Sequence, residues 1–183
     1  MPTRDDYLRQ SLAQRLARIQ RTPDDLAEAI RGQGDGALSR RPDDKSWSAK
    51  EVVCHLRDIE ELCIIRYHMM LSMDEPRLFV VGVTAPEPAE WGIVGGVPYP
   101  VDAERWAAER QYLRNDTIQA LAAFRRRRQE VLALLGALTP TQWKRGGVIP
   151  TFGRRTFEEF QATVAGHDDN HLEQLKRALA GRP

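Results

Sequence analysis

The sequence predicts an all-α fold, a helical bundle of four main helices within a single domain. Apolar residues recur every three to four positions through long stretches, the spacing of one buried helix face. Three segments rich in glycine and proline separate these stretches. No segment predicts a convincing strand. At 183 residues, the chain is long enough to bury a substantial core in one domain.

Helix 1 is predicted from the apolar stripe of Leu8, Leu12, Leu16 and Ile19. We expect it to break near Thr22-Pro23, where the threonine can cap and the proline can open a further helical stretch to about Arg31. A loop follows, marked by Gly32, Gly34, Gly36 and Pro42.

Helix 2 has a clear start signal. Ser48 and Glu51 match a capping box, in which each side chain bonds a free backbone N–H at the helix end. Trp47 precedes this cap and can pack on Val52 as a hydrophobic staple. We expect the helix over residues 49–73.

A long connection is predicted over residues 74–100, which contain five prolines. Such a connection in a compact domain is often functional, and here it could cover one end of the bundle.

Helix 3 should begin near Asp102 and reach about Leu138, and it could be kinked along this length. Thr139-Pro140 then opens a short turn that carries Trp143.

Helix 4 is predicted to begin at a second capping box, formed by Thr156 and Glu159, and to reach about Ala180. The segment before it contains Gly146, Gly147, Pro150 and Gly153, and is expected to form a loop.

Charge and hydropathy limit the class of protein. The 27 basic and 26 acidic side chains almost cancel, which removes the main electrostatic argument for binding nucleic acid or a membrane surface. The first residues lack the apolar core of a signal peptide, and the apolar run Val131–Leu135 is far too short to span a bilayer. We therefore expect a soluble cytoplasmic protein.

Two cysteines, Cys54 and Cys63, lie on helix 2. At ~1.5 Å per residue, their nine-residue separation places them roughly 13 Å apart along the helix axis, too far for a disulfide. We expect two buried, reduced thiols.

Three of the four histidines fall on apolar helix stripes. His167 and His171 are four residues apart on helix 4 and therefore share a face. His55 follows Val52 on the stripe of helix 2, whereas His68 lies off that line and receives no role. If helices 2 and 4 pack side by side, the three imidazoles converge. Three histidines around a divalent ion leave positions for water or substrate, as in catalytic zinc sites.

A metal-free interpretation stays open, because a pair spaced H-x3-H also arises by chance and a buried histidine is often only a core residue. Asp168 stands where the metalloprotease motif has glutamate, so that motif is not matched.

Ligating histidines normally need a hydrogen-bond partner for the second ring nitrogen. Asp58 is the candidate for His55, with Glu51 as the alternative if its capping role leaves it free.

Two arginines also fall on apolar stripes, Arg66 on helix 2 and Arg128 on helix 3. A buried guanidinium must find a carboxylate or reach a wet cavity. A structural ion pair is one interpretation, and binding of an anionic substrate group near the metal is the other. Gln174 and Thr163, on the side of His167, are further candidates for lining a substrate pocket.

At these residues the chain resembles the DinB-like superfamily of helical-bundle metalloenzymes. The matching motifs are Trp47-Ser48 with Glu51, His55-Leu56 with Asp58, and His167-x3-His171 followed by Gln174. The resemblance implies an up-down four-helix bundle with a long crossover between helices 2 and 3, often a homodimer. It also implies that His55, His167 and His171 bind the metal. The superfamily includes bacillithiol S-transferases and mycothiol-dependent isomerases. The resemblance, with a ligand set of three histidines, favours a similarity to the transferases over the isomerases.

The resulting functional hypothesis is a metal-dependent transferase of a low-molecular-weight thiol, with zinc or nickel as the expected ion and iron as a further candidate. Coordination deprotonates a thiol, and the thiolate would attack an electrophile bound in the cavity. The same open site could instead activate water for hydrolysis. A non-catalytic bundle that uses the metal as a brace or sensor is the third alternative.

Overall fold

Four long helices form the framework of the structure, a computed structural model that describes residues 3–78, 103–149 and 153–183. These helices are α2 (Leu12–Ala29), α4 (Ala49–Ser72), α6 (Thr117–Gly136) and α8 (Phe157–Leu179). The short helices are α1 (Arg4–Leu8), α3 (Asp35–Ser39), α5 (Ala103–Glu109) and α7 (Pro140–Trp143). A 3-10 turn covers Tyr112–Arg114, and two strands, β1 (Gly146–Ile149) and β2 (Gly153–Thr156), form a hairpin.

The long helices pack as a four-helix bundle, which confirms the predicted fold class. Helix α4 contacts α6 on one side and α8 on the other, and α2 contacts the same two helices. The buried apolar side chains divide into two clusters, one containing Ile59, Phe160 and Val164 and the other containing Val52, Leu56 and Leu172. Residues of both clusters flank the histidines along α4 and α8, so the histidines lie where the two clusters meet.

Both predicted capping boxes are present. The hydroxyl of Ser48 accepts from the backbone N–H of Glu51, whose carboxylate accepts from the N–H of Ser48 in return. Thr156 and Glu159 form the same pair at the start of α8. Because these bonds are local, they fix the first turns of α4 and α8 independently of packing.

The predicted break at Thr22-Pro23 is wrong, because α2 continues through Pro23. A proline inside a helix has no N–H for the carbonyl four residues earlier, here Ile19. Arg128 of α6 supplies the missing bond, since its NH1 donates to the Ile19 carbonyl oxygen at 2.6 Å. The discontinuity lies earlier instead, where Ser11 caps the start of α2 through a capping box with Gln14.

Helix 3 of the sequence prediction is divided in the structure. Helix α5 ends at Glu109, and Gln111 adopts a left-handed backbone conformation with φ of 49°. Asp116 then caps α6 by accepting from the N–H of Gln119 at 2.8 Å. The predicted start at Asp102 lies outside the described residues.

The expectation of no strand is also wrong, because β1 and β2 pair antiparallel just before α8. Two of the glycines that suggested a loop permit close contacts, one with backbone and one with a side chain. A Cβ on Gly146 would lie 2.6 Å from the carbonyl oxygen of Arg155, and one on Gly147 would lie 2.6 Å from Leu78. Pairing with β2 therefore requires glycine at position 146, whereas the glycine at position 147 makes room for the side chain of Leu78.

The connection after α4 is described only as far as Leu78, whose N–H donates to Val148 of β1 at 2.9 Å. Residues 79–102 lie outside the described part, and so does the predicted covering of the bundle end.

Among the described helices, none is both long enough and apolar enough to cross a membrane.

Cys54 and Cys63 are buried free thiols, as predicted. Burial raises the pKa of Cys63 to about 12.

Candidate metal centre

The three stripe histidines meet between α4 and α8. One ring nitrogen each from His55, His167 and His171 lies within 4.8 Å of the other two. The Nε2 atoms of His55 and His167 are 3.4 Å apart. Among the residues that the structure describes, these three form the one group of histidine, cysteine or acidic side chains that could hold a metal.

One pair of these nitrogens has the spacing of a divalent-ion site. Separations of up to 4.8 Å in the set exceed the ~4.2 Å that two bonds of about 2.1 Å can span, so the third ring must move closer to bind the same ion. Imidazole nitrogens bind zinc at about 2.0–2.1 Å, so two ligands at a tetrahedral centre lie ~3.4 Å apart. The distance between His55 and His167 matches that value without movement. All three side chains can approach one point because α4 and α8 pack directly against each other.

The electrostatic setting keeps the imidazoles neutral, the form that binds metal. Burial lowers the pKa of His55 and of His167 well below the ordinary value, and neighbouring histidines lower both further. Burial also lowers the pKa of His171, although the hydrogen bond to Gln174 acts in the opposite direction. Unprotonated nitrogens are therefore ready near neutral pH without the loss of a proton.

His171 is oriented by two neighbours. Its Nδ1 lies 2.8 Å from Oε1 of Gln174, a distance at which the ring N–H donates to the amide oxygen. That bond assigns the proton to Nδ1 and leaves Nε2 as the free ligand atom. The indole of Trp47 stacks on the same ring at 6.3 Å between centroids and with 17° between planes.

Trp47 also contacts His55, with ring centroids 4.8 Å apart. Its indole N–H donates to the carboxylate of Glu104 on α5 at 3.1 Å. One aromatic side chain thus packs against two of the three imidazoles, and a residue from a different helix fixes its orientation.

His55 differs from His171 because its Nδ1 is buried without a hydrogen-bond partner among the described residues. The predicted partner, Asp58, faces another way, so that prediction is wrong. Its carboxylate accepts from Tyr112 at 2.8 Å and from Arg57 at 2.7 Å, because α4 turns Asp58 towards the segment before α6. The alternative, Glu51, is held by Ser48 and by Arg41.

A cavity of about 470 Å³ opens onto the three histidines. Its volume lies in the range of sites that bind small molecules. Besides the histidines, it is lined by Lys45, Trp47, Ala103, Glu104, Asn170, Gln174 and Arg177. The lining includes two cationic side chains and one carboxylate, so the cavity offers charged as well as apolar contacts.

A family model of the DinB superfamily matches residues 18–175. The chain belongs to the DinB superfamily. Among solved structures, the chain resembles YfiT from Bacillus subtilis, a probable metal-dependent hydrolase with an unusual four-helix bundle topology. The TM-score is 0.75 at 22% sequence identity, and the alignment covers 93% of this chain and 86% of YfiT. No curated protein matches the sequence significantly.

The two stripe arginines of this DinB-superfamily chain do not line the cavity. Arg128 is fully buried and binds Glu60 and Asp168, which is the structural ion pair that the sequence offered as one interpretation. Arg66 lies over the ring of Phe160 at 5.7 Å, and its charge contributes to the lowered pKa of His167. Neither Arg66 nor Arg128 is placed to touch a molecule inside the cavity.

Of the other candidates, Gln174 lines the cavity as predicted, and Thr163 does not. Sequence reasoning missed Asn170 and Arg177, although Asn170 stands three residues after His167 and Arg177 three residues after Gln174, the spacing of neighbours on a helix surface. Nothing local in the sequence indicates Glu104 or Lys45, because both reach the cavity from other segments.

Proposed function

We propose that this DinB-superfamily protein is a divalent-metal-dependent hydrolase of a small-molecule substrate, with the ion held by His55, His167 and His171. The observation that supports it best is the convergence of three imidazoles, within 4.8 Å, at a cavity of about 470 Å³. Three protein ligands leave coordination positions free, which is the arrangement of catalytic rather than structural zinc. The likeness of the fold to YfiT is consistent with this proposal.

The residues around the ion have separable tasks in this proposal. Gln174 fixes the ring of His171 through Nδ1, and Trp47 limits the rotation of His55 and His171. Lys45 and Arg177 line the cavity and would attract an anionic group of the substrate. When bound, a divalent ion lowers the pKa of water to about 7, or deprotonates a coordinating thiol, and so supplies a nucleophile at neutral pH.

Transfer of a low-molecular-weight thiol is the second candidate. It is favoured by a ligand set made only of imidazoles and by the cationic side chains Lys45 and Arg177, which suit the carboxylates that many such thiols carry. In this version the thiolate sulfur would form a bond to an electrophilic carbon of a molecule in the same cavity, and the leaving group on that carbon would depart with the electron pair of the bond that breaks. Zinc or nickel remains the expected ion for either reaction, and the homodimer implied by the family remains a prediction.

One experiment separates these proposals. The protein is purified without a polyhistidine tag, its metal content is measured, and ester, amide and phosphate substrates are tested before and after chelation. Parallel reactions contain a thiol and monochlorobimane. We expect about one divalent ion per chain and an activity that chelation removes and the metal restores.

His167→Ala is the diagnostic variant, because His167 lies within 3.4 Å of His55 and removing it leaves two ligands. We expect loss of both metal and activity. His68→Ala, on the exposed face of α4, is the matched control and should change neither. Metal-free wild-type protein would refute the proposal, and a bound ion with no activity in either assay would favour the brace or sensor. Loss of cooperative folding on chelation would also favour a structural ion.

A further inference from the structure

Arg128 connects all four long helices of the bundle. It stands on α6, and its guanidinium donates to the Ile19 carbonyl of α2 at 2.6 Å, to Glu60 of α4 at 2.7 Å and to Asp168 of α8 at 2.6 Å. Thr22 of α2 also donates to Asp168 at 2.6 Å. We call Ile19, Thr22, Glu60, Arg128 and Asp168 the arginine clamp.

Every polar group of the arginine clamp has a hydrogen-bond partner, and one acceptor, the Ile19 carbonyl, is available because of Pro23. Because Pro23 has no N–H, the Ile19 carbonyl lacks its donor within α2 and is free to accept from Arg128. The proline that should have broken the helix thus provides an attachment point for α6. An ordinary residue at position 23 would satisfy the same carbonyl within α2.

The arginine clamp lies next to the metal ligands along two helices. Asp168 directly follows His167 on α8, and Glu60 is five residues after His55 on α4, roughly 7.5 Å along the axis at ~1.5 Å per residue. A slip of α8 along α4 would break the bonds of Arg128 before it separated the imidazoles by one turn. The clamp therefore constrains the helix pair whose relative position sets the distances among the histidine nitrogens.

Stability alone does not account for a fully buried ionic cluster. Replacing such a cluster with well-packed apolar side chains is often neutral or stabilising, because removing the charges from water is costly. Conformational specificity is the role that such clusters have in some proteins. The position of this cluster, joined to four helices beside a metal site, fits that role.

We propose that Arg128 is a positioning residue for the metal centre: by binding Glu60 and Asp168 it sets α4 against α8 so that His55 meets His167 and His171. The proposal rests on the proposed metal site. It assigns to Arg128 no contact with substrate, in place of the substrate-binding role that the sequence offered.

The test compares metal binding in three variants with wild-type protein. The apolar variant combines Pro23→Ala, Glu60→Met, Arg128→Met and Asp168→Leu. The Ile19 carbonyl then regains a helical donor, and the hydroxyl of Thr22 keeps the Arg18 carbonyl, 3.4 Å away, as its acceptor. Arg128→Lys keeps the charge but loses the planar guanidinium that donates two hydrogen bonds to Glu60, each at 2.7 Å. Arg127→Met is the matched control, because Arg127 also bridges α6 to α4, through Glu61 at 2.8 Å, but nearer the surface.

Zinc affinity is measured by competition with a chromophoric chelator, Co²⁺ binding by its visible spectrum, and folding of the metal-free chains by circular dichroism and thermal unfolding. We expect the apolar variant to fold as stably as wild type and yet bind zinc about 10- to 100-fold more weakly, with an altered Co²⁺ spectrum. The zinc affinity of Arg128→Lys should lie between those of wild type and the apolar variant, and that of Arg127→Met should match wild type.

Wild-type affinity together with a wild-type spectrum in the apolar variant would overturn the positioning role while leaving the metal site intact. Weaker binding with an unchanged spectrum would also overturn it, since the effect would then come from the charge of Asp168. An apolar variant that does not fold would show that the clamp is needed for stability itself, and Arg128→Lys would then decide by the same two measurements. Wild-type protein that binds neither ion would refute the metal site and this inference together.

Discussion

Individual side chains decide which nitrogen each imidazole presents to the cluster. His171 has a hydrogen-bond partner for Nδ1 in Gln174, whereas the Nδ1 of His55 has none among the described residues. The ring of His55 is held mainly by packing, with Trp47 on one side. The two ligands therefore depend on different kinds of contact, polar for His171 and apolar for His55.

Gln174→Leu should weaken zinc binding by about 10- to 100-fold, because it removes the acceptor that fixes the tautomer of His171. Gln174→Glu keeps an acceptor at the same place and should bind zinc at least as tightly as wild type. Isothermal titration of the metal-free proteins measures both. Equal affinity in wild type and Gln174→Leu would show that packing alone orients His171.

At the scale of elements, local signals placed the helices that present the histidines. The capping box at Ser48 begins α4 seven residues before His55, and the box at Thr156 begins α8 eleven residues before His167. Both starts were predictable because the residues involved lie within one turn of each other. The glycine-rich β hairpin was not predictable from the sequence, since its strands are defined by pairing with each other and not by an alternation of apolar residues.

Ser48→Ala should destabilise the fold by about 1 kcal/mol, because the N–H of Glu51 loses its acceptor at a buried helix end. Urea unfolding of the metal-free protein measures this difference. Thr139→Ala removes the same kind of cap from α7, which is four residues long and has no buried residue, so its effect should be smaller. A larger loss for Thr139→Ala would contradict the argument.

At the scale of the whole molecule, burial of three neutral histidines links stability to pH. In the unfolded chain these side chains titrate near pH 6.5, whereas burial holds the folded pKa values of His55, His167 and His171 lower. Below about pH 6.5 the unfolded state therefore binds more protons than the folded state, and stability falls as the pH falls towards the folded pKa values.

We expect metal-free protein to lose stability progressively from pH 7 to pH 5, in a single cooperative transition if the chain is one domain. Urea unfolding at several pH values tests both statements. His167→Gln should lose less stability over this range, while His68→Ala should follow wild type. If the free energy of unfolding of wild-type protein did not change between pH 7 and pH 5, the buried histidines would not control the loss of stability in acid.

The sequence by itself determined the features that depend on neighbouring residues. These are the capped starts of α4 and α8, the shared face of His167 and His171, and the two buried thiols. Each follows from backbone geometry or from composition within a few turns of helix, so that no knowledge of the other helices is required.

Only the tertiary structure decided where side chains from different helices meet. It brought His55 to His167, turned Asp58 towards Tyr112, and gave Arg128 its two carboxylates. The physical reason is that a helix stripe specifies which residues face the core, whereas the rotation and offset of one helix against another depend on the packing of both apolar clusters. A shift of a few ångströms between α4 and α8 would leave every local signal unchanged and still separate the three imidazoles.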